Sequence, residues 1–314
     1  MKYINTGRLD QSIMYLSTEQ RNEASIGIDR MPVEEMLRII NNEDKSVPDK
    51  VAEAIPAIAE AIRMIVPRMR EGGRMVYCAA GTSARIGFMD AAECPPTYYT
   101  EEDTVSCLMA GGRDCVFHAK EVMEDSEEDA KRDLIAFGLT SKDTVVAAAA
   151  SGRTPYGVGA LKYAKEIGAG RVCIACNKPS RLGEYAEVAI EMNTGAEVIT
   201  GSTRMKAGTA QKLVMNMLST GIMVQLGRTY DNLIIEGEAT NSKGSNRHPR
   251  MFAEAIGNPD LDYACKRLDE ANWCVRCALL KELTGCDQET AHWACTNCGG
   301  NVKVALRMVQ EKGK

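Results

Sequence analysis

From residue 51 to residue 70 apolar side chains return every three or four positions, at Val51, Ile55, Ile58, Ile62 and Ile65. This is the spacing of one helix face. Pro56 and Pro67 are expected to kink or break it, since proline removes a backbone donor. A shorter helical pattern precedes it in "PVEEMLRIINNEDKSVPD". Beyond residue 73 the pattern changes to short, continuously apolar runs: "RMVYCAA" (74–80), "TVSCLMA" (104–110), "DTVVAAAAS" (143–151), "RVCIACN" (171–177) and "YAEVAIEMN" (185–193). Helical patterns separate them, among them a long acidic helix over about 113–136 and one that opens at Pro155. Strands apolar on both faces, alternating with helices, predict an α/β fold: a doubly wound parallel five-stranded sheet flanked by helices. Right-handed crossovers bring every strand's C-terminal end to one edge, where such sheets bind ligands. An apolar helix over about 208–227 follows. "NSKGSNRHPR" (241–250) then reads as a breaker-rich boundary, and the tail is helical with turns at "GNPD", "TGCD" and "CGG". The chain is thereby divided into an N-terminal helical segment (1–60), a sheet domain (61–228) and a C-terminal helical region (229–314).

Three loops carry candidate chemistry. "AAGTSAR" (79–85) follows the first strand and "ASGRTPYG" (150–157) the third. Each joins a flexible turn and hydroxyls to a helix start, so Ser83, Ser151 and Thr154, with loop N–H groups, could wrap a phosphate. "EVITGSTRMKAGTAQK" (197–212) sets Gly201, Ser202, Thr203, Arg204 and Lys206 between a strand-like and a helix-like run. Read alone, it is an anion site or a polar helix cap. Two similar loops beside it tilt the reading to an anion.

Charge and composition narrow the ligand. The 314 residues carry a net charge of −5 without a basic block, which argues against a nucleic-acid or anionic membrane surface but not against a phosphorylated small molecule. No apolar run is long enough to span a bilayer, and the polar N-terminus does not read as a signal peptide, so a cytoplasmic protein is expected. Of the 12 cysteines, most sit in apolar runs as small hydrophobes. Cys274, Cys277, Cys295 and Cys298 follow C-x2-C-x17-C-x2-C, a zinc-like spacing. The first pair, however, lies in "LDEANWCVRCALLKEL", which reads as one continuous helix, so these four are expected to be core without zinc.

"AAGTSARIG" and "ASGRTPYGVGAL" together resemble a sugar isomerase (SIS) domain. "GAEVITGSTRMKAGTAQKLVMNMLSTG" is similar to a signature shared by N-acetylmuramic acid 6-phosphate etherases and glucokinase regulatory proteins. "LSTEQRNEASIGIDRM", "DAAECPPTY", "LMAGG" and "LTGCDQETAHWACTNCGGNVKVAL" resemble the etherase branch, and the likeness runs from about Ser17 to Leu306. It weakens over 241–260, where only Thr240 and Asn241 fit the etherase pattern. The regulators are about twice as long, carry two SIS domains and lack the glutamate of "ECPPT", which fits this chain poorly. An aldose–ketose isomerase on the same fold leaves the long "GSTRMKAGT" motif unexplained.

The resemblance implies an SIS-type fold and cleavage of the D-lactyl ether of a sugar 6-phosphate without metal or organic cofactor. It also implies a homodimer with its site at the subunit interface. Gly81, Thr82, Ser83, Ser151, Gly152, Arg153, Thr154, Ser202, Thr203, Arg204 and Lys206 would bind substrate, and Glu93 and Glu124 would be catalytic. Pro95 and Pro96 are expected to stop a helix at Glu93, placing it at the negative end of the helix dipole, a position suited to a general acid. Glu124 lies in the acidic run "EVMEDSEEDA", which on pattern alone is a solvated helix face. The resemblance makes it the base, with Glu121, one turn earlier, the alternative. Glu19 and Asn22 belong to the family motif "TEQRN" with no role implied.

Overall fold

The computed structural model describes residues 14–235, 242–299 and 301–312. The chain forms two compact units. One holds the described residues up to Met69 together with Gly73–Asp90 and Ser106–Leu218, and the other holds Arg70–Gly72, Ala91–Val105 and the described residues from Ser219.

The first unit opens with 3-10 turns at Ser17–Glu19, Glu23–Ser25 and Ile28–Arg30, then α1 (Val33–Asp44), α2 (Val47–Glu53) and α3 (Ile55–Arg70). The break expected from proline falls at Ala54, between α2 and α3. Pro56 is tolerated in the first turn of α3, where an N–H has no intrahelical acceptor, and Pro67 lies inside the helix. The sheet elements follow as β1 (Met75–Ala79), α4 (Gly81–Tyr98), β2 (Val105–Met109), α5 (Asp114–Phe117), a 3-10 turn (Glu121–Asp125), α6 (Glu127–Phe137), β3 (Thr144–Ala149), α7 (Pro155–Glu166), β4 (Gly170–Ala175), β5 (Val188–Glu191) and α8 (Lys206–Leu226).

All five predicted strands are present, in the order β2-β1-β3-β4-β5. β1, β3, β4 and β5 pair in parallel, with Met75 beside Thr144, Thr144 beside Gly170 and Val172 beside Val188. Burial explains the composition. Every residue of β1 and β3 is buried, whereas edge strands β2 and β5 alternate buried and half-buried positions. The order places a topological switch point between β1 and β3, because successive crossovers leave that pair in opposite directions. Cys173 in β4 and Cys176 just after it are inert core: burial pushes both thiols up to about 12, far from the thiolate that reacts or binds metal.

One sequence expectation fails here. The long acidic helix over 113–136 is three pieces, because Ser126 caps α6 by accepting the Asp129 N–H, 3.1 Å. Gly159 keeps that junction tight: a Cβ there would meet the Glu127 carbonyl at 2.3 Å, so only glycine lets α7 press against the start of α6.

The second unit contains a short hairpin of β6 (Thr229–Tyr230) and β7 (Leu233–Ile234), absent from the sequence expectation, then α9 (Ser242–Ile256), α10 (Leu261–Asp269), α11 (Val275–Thr284), α12 (Gln288–Asn297) and α13 (Val302–Lys312). "NSKGSNRHPR" is not a boundary, since α9 runs through it from Ser242 despite Pro249. Thr240 and Asn241 lie outside the described residues. The turns expected at "GNPD" and "TGCD" separate helices as read; in "CGG" Cys298 and Gly299 form a turn after α12, and Gly300 lies outside the described residues. A further break after Asp269 splits "LDEANWCVRCALLKEL" into α10 and α11. Among the described residues no helix is long and apolar enough to cross a membrane.

Candidate active site

The C-terminal ends of β1 and β3 deliver two turns to the switch point. After β1, Gly81 opens α4 at φ +52° with Thr82 half-buried. After β3, Gly152 holds φ +71°, where a Cβ would meet Ser180 Cβ at 2.5 Å. The turn therefore requires glycine on both conformational and steric grounds. Ser151 Oγ accepts the Arg153 N–H (3.3 Å), and Thr154 is the N-cap of α7 without its side chain making the capping bond. Its hydroxyl leaves the first N–H groups of α7 to another acceptor.

Ser83 is 7% exposed and donates its hydroxyl to Gln211 Oε1, 2.8 Å away. Gln211 is 1% exposed, and its Nε2 has no hydrogen-bond partner among the described residues. An unpaired buried amide costs about 1–3 kcal/mol, so an acceptor supplied at this point would relieve it. Sequence reasoning missed Gln211. The signal was there: it sits on the buried stripe of α8 with Ala207, Ala210, Val214, Met215 and Leu218, all 0% exposed, and a polar residue on an otherwise apolar stripe calls for a partner.

The third loop answers its own question differently. The first N–H groups of α8 are taken by the protein's own anion. Glu197, 0% exposed, accepts from Lys206 N (2.9 Å) and Ala207 N (3.0 Å). Burial raises its carboxyl above the ordinary range even with those donors. Lys206, expected to meet substrate, is 5% exposed and donates to Glu43 Oε2 at 2.6 Å. That pair ties α8 to α1. Burial would raise the Glu43 carboxyl, but the hydrogen bonds from Lys206 and Asn22 hold it below its usual value. Ser202 and Thr203 are half-buried, and Arg204 is exposed.

The N-terminal motif is drawn to the same edge. Asn177, just beyond β4 and 3% exposed, accepts from Ser17 Oγ (2.9 Å) and donates to Thr18 Oγ1 (2.9 Å) and the Ala150 carbonyl (3.2 Å). Asn22 donates to Glu43 (2.7 Å) and to the Ala196 carbonyl (3.1 Å). These bonds give Asn22 a positioning role and set Glu19 against Gly201, where an added Cβ would lie 3.4 Å from Glu19 Oε2.

Glu124 lies on the 3-10 turn before α6, half-buried. It lines a recess of about 50 Å³ with Ala80, Gly81, Arg85, Lys120 and Cys115. Arg85 is fixed by donating to the Val116 (2.7 Å) and Cys115 (2.8 Å) carbonyls. A carboxylate and two cations thus meet beside the β1–α4 turn. Glu124 is not on a solvated face of a long helix, as its acidic neighbours had suggested.

Glu93 belongs to the second unit and is exposed on α4. Pro95 and Pro96 do not stop that helix, which continues to Tyr98 and ends where Tyr99 turns left-handed at φ +52°. The two prolines instead deprive the Ala91 and Ala92 carbonyls of their intrahelical donors. Glu93 therefore sits at a gap in the hydrogen-bond ladder rather than at a helix end.

The glucokinase regulatory protein N-terminal SIS domain pattern matches residues 57–165, and the SIS domain pattern matches residues 117–221. The five-stranded sheet with its helices is thus an SIS fold. An N-acetylmuramic acid 6-phosphate etherase of Clostridium beijerinckii is 43% identical over 95% of this chain and 97% of its own length. One of Halalkalibacterium halodurans is 45% identical over 93% of this chain and 97% of its own. Among solved structures, the phosphoheptose isomerase GmhA of Neisseria gonorrhoeae gives a TM-score of 0.48 at 14% identity, covering 61% of this chain and 98% of that one.

Proposed function

This chain belongs to the N-acetylmuramic acid 6-phosphate etherase family, and we infer that it acts in the cytoplasm, in the recycling of cell-wall amino sugar. It cleaves the D-lactyl ether of N-acetylmuramic acid 6-phosphate, giving D-lactate and N-acetylglucosamine 6-phosphate. The sugar ring opens to its aldehyde, which acidifies the proton on C2. Glu124 takes that proton. The C3–O bond breaks, its electrons pass to the ether oxygen, and Glu93 protonates the departing lactate. Water then adds across C2 and C3, with hydroxyl to C3 and a proton to C2. One carboxylate acts as base and the other as acid, and the two need different surroundings to hold different protonation states.

The observation that carries this reading is the Glu124 recess, which opens beside Gly81 with Arg85 and Lys120 in its wall. Those cations suit the negative charge that develops on the aldehyde oxygen. The 6-phosphate is assigned to Ser83, Ser151 and Thr154 with the N–H groups of the Gly81–Thr82 and Gly152–Arg153 turns. The Gln211 amide stands behind Ser83. Ser202, Thr203 and Arg204 are assigned to the sugar side of the site, and the functional unit is a homodimer completing its site at the interface. Incubation with N-acetylmuramic acid 6-phosphate should release D-lactate stoichiometrically, read by a D-lactate dehydrogenase assay. Ketose formation without lactate would point to an isomerase, and binding without turnover to a sensor.

Ser83→Ala should weaken binding of glucosamine-type 6-phosphates relative to their non-phosphorylated sugars. Because it also strips Gln211 Oε1 of its donor, it should cost about 1–3 kcal/mol of stability, seen as a lower melting temperature. An unchanged ratio of phosphorylated to plain sugar binding would place the phosphate elsewhere.

A further inference from the structure

Among the described residues, metal-ligating side chains converge in one place. The sulfurs of Cys274, Cys277 and Cys295 all lie within 4.8 Å of one another. Cys274 Sγ is 3.0 Å from Cys277 Sγ, and Cys277 Sγ is 3.3 Å from Cys295 Sγ. These contacts are closer than the ~3.5–4.0 Å of ordinary apolar packing.

The first cysteine pair does not lie on an unbroken helix, as its sequence pattern suggests. α10 ends at Asp269, Asn272 and Trp273 adopt left-handed φ of 53° and 58°, and Cys274 becomes the N-cap of α11. The first C-x2-C is therefore a turn leading into a helix, with both sulfurs on the inner side. The second pair brackets the end of α12, where Cys298 is the C-cap. Cys298 is buried and donates its S–H to the Cys295 carbonyl at 3.2 Å; its sulfur lies outside the three-sulfur cluster, so as fourth ligand it would have to give up that weak bond and swing inward.

We propose that Cys274, Cys277, Cys295 and Cys298 bind one structural zinc ion that clamps the turn before α11 to the end of α12. Four thiolates from two C-x2-C pairs are a closed, tetrahedral set for zinc. With Zn–S of about 2.3 Å, such a set spaces its sulfurs roughly 3.8 Å apart. The three clustered sulfurs need shift by less than about an ångström. A clamp also answers a weakness of this unit, whose buried core is built largely from Ala and Cys, including Ala264, Ala271, Ala278, Ala291, Ala294 and Ala305. Such side chains bury little apolar surface each, and small cores commonly add a metal or a cross-link. The ion is remote from the ether chemistry in role: it holds fold and touches no substrate.

The test is elemental analysis of the full chain after loading with zinc and dialysis against metal-free buffer. One zinc per chain is expected, released when the thiols are modified with a mercurial. Cys274→Ser keeps a good N-cap for α11 while removing a thiolate, and should lower zinc content at least tenfold with helicity retained. Cys298→Ala should also weaken retention, whereas Cys286→Ala should not. Should Cys274→Ser fail to fold, Co(II) loaded into the unaltered chain supplies the second reading, through its thiolate charge-transfer absorption. The proposal falls if the loaded protein is metal-free with all four thiols titrating, if Cys274 and Cys277 are joined as a disulfide, or if Cys274→Ser keeps its zinc.

Discussion

Glu124→Gln should abolish both halves of the reaction. The amide has nearly the shape of the carboxylate and can occupy the same recess beside Gly81 and Arg85, but it cannot accept the C2 proton. Without that step no carbanion-like intermediate forms, and nothing drives the lactyl oxygen from C3. In deuterated buffer the variant should neither incorporate deuterium at C2 nor release D-lactate, each rate falling by about 100- to 10,000-fold, the usual cost of a lost general base. NMR of recovered sugar and an enzymatic lactate assay read the two steps separately. Continued C2 exchange would remove Glu124 from the role and make Glu121 the next base to test.

Glu93→Gln should uncouple the same two steps. Proton removal from C2 needs only the open aldehyde and Glu124, so deuterium should still enter C2. Release should fail, because an alkoxide leaves poorly when no acid protonates it, and the loss of lactate formation should again be about 100- to 10,000-fold. The contrast between the variants carries more than either rate alone, since a general structural defect would depress exchange and release together. Near-normal lactate release from Glu93→Gln would overturn the assignment of the acid.

The strands were legible because their chemistry is local: five runs apolar on both faces have few other uses in a chain this size. The two turns at the switch point were legible for the same reason, since glycine, hydroxyl and helix start follow one another directly. What escaped depended on partners far away in sequence. Lys206 reads as a loop cation, and nothing near it announces Glu43, 163 residues earlier. Glu197 reads as a strand-end charge until the N–H groups of Lys206 and Ala207 are seen to end on it. Breaks were misjudged in both directions. Ser126 with Asp129 three residues on was a readable cap inside the acidic run. Pro95 and Pro96 looked like a stop, yet α4 passes through them. The turn before Cys274 was hidden because Trp273 gives no hint of a left-handed conformation.

The strap of Ser17 and Thr18 onto Asn177 has a consequence for the order in which the protein is made. The strap's two ends lie 159 to 160 residues apart. At ribosomal rates of about 5–20 residues per second, the "LSTEQRN" segment waits on the order of ten seconds or more before its receptor just beyond β4 exists. Glu43 waits similarly for Lys206. Loop-closure entropy over such a span makes these contacts slow to form on their own. The central strands therefore assemble first, and the oldest part of the nascent chain is the last to lock. A nascent chain arrested before Lys206 should thus expose "LSTEQRN" to protease, and release of the completed chain should protect it.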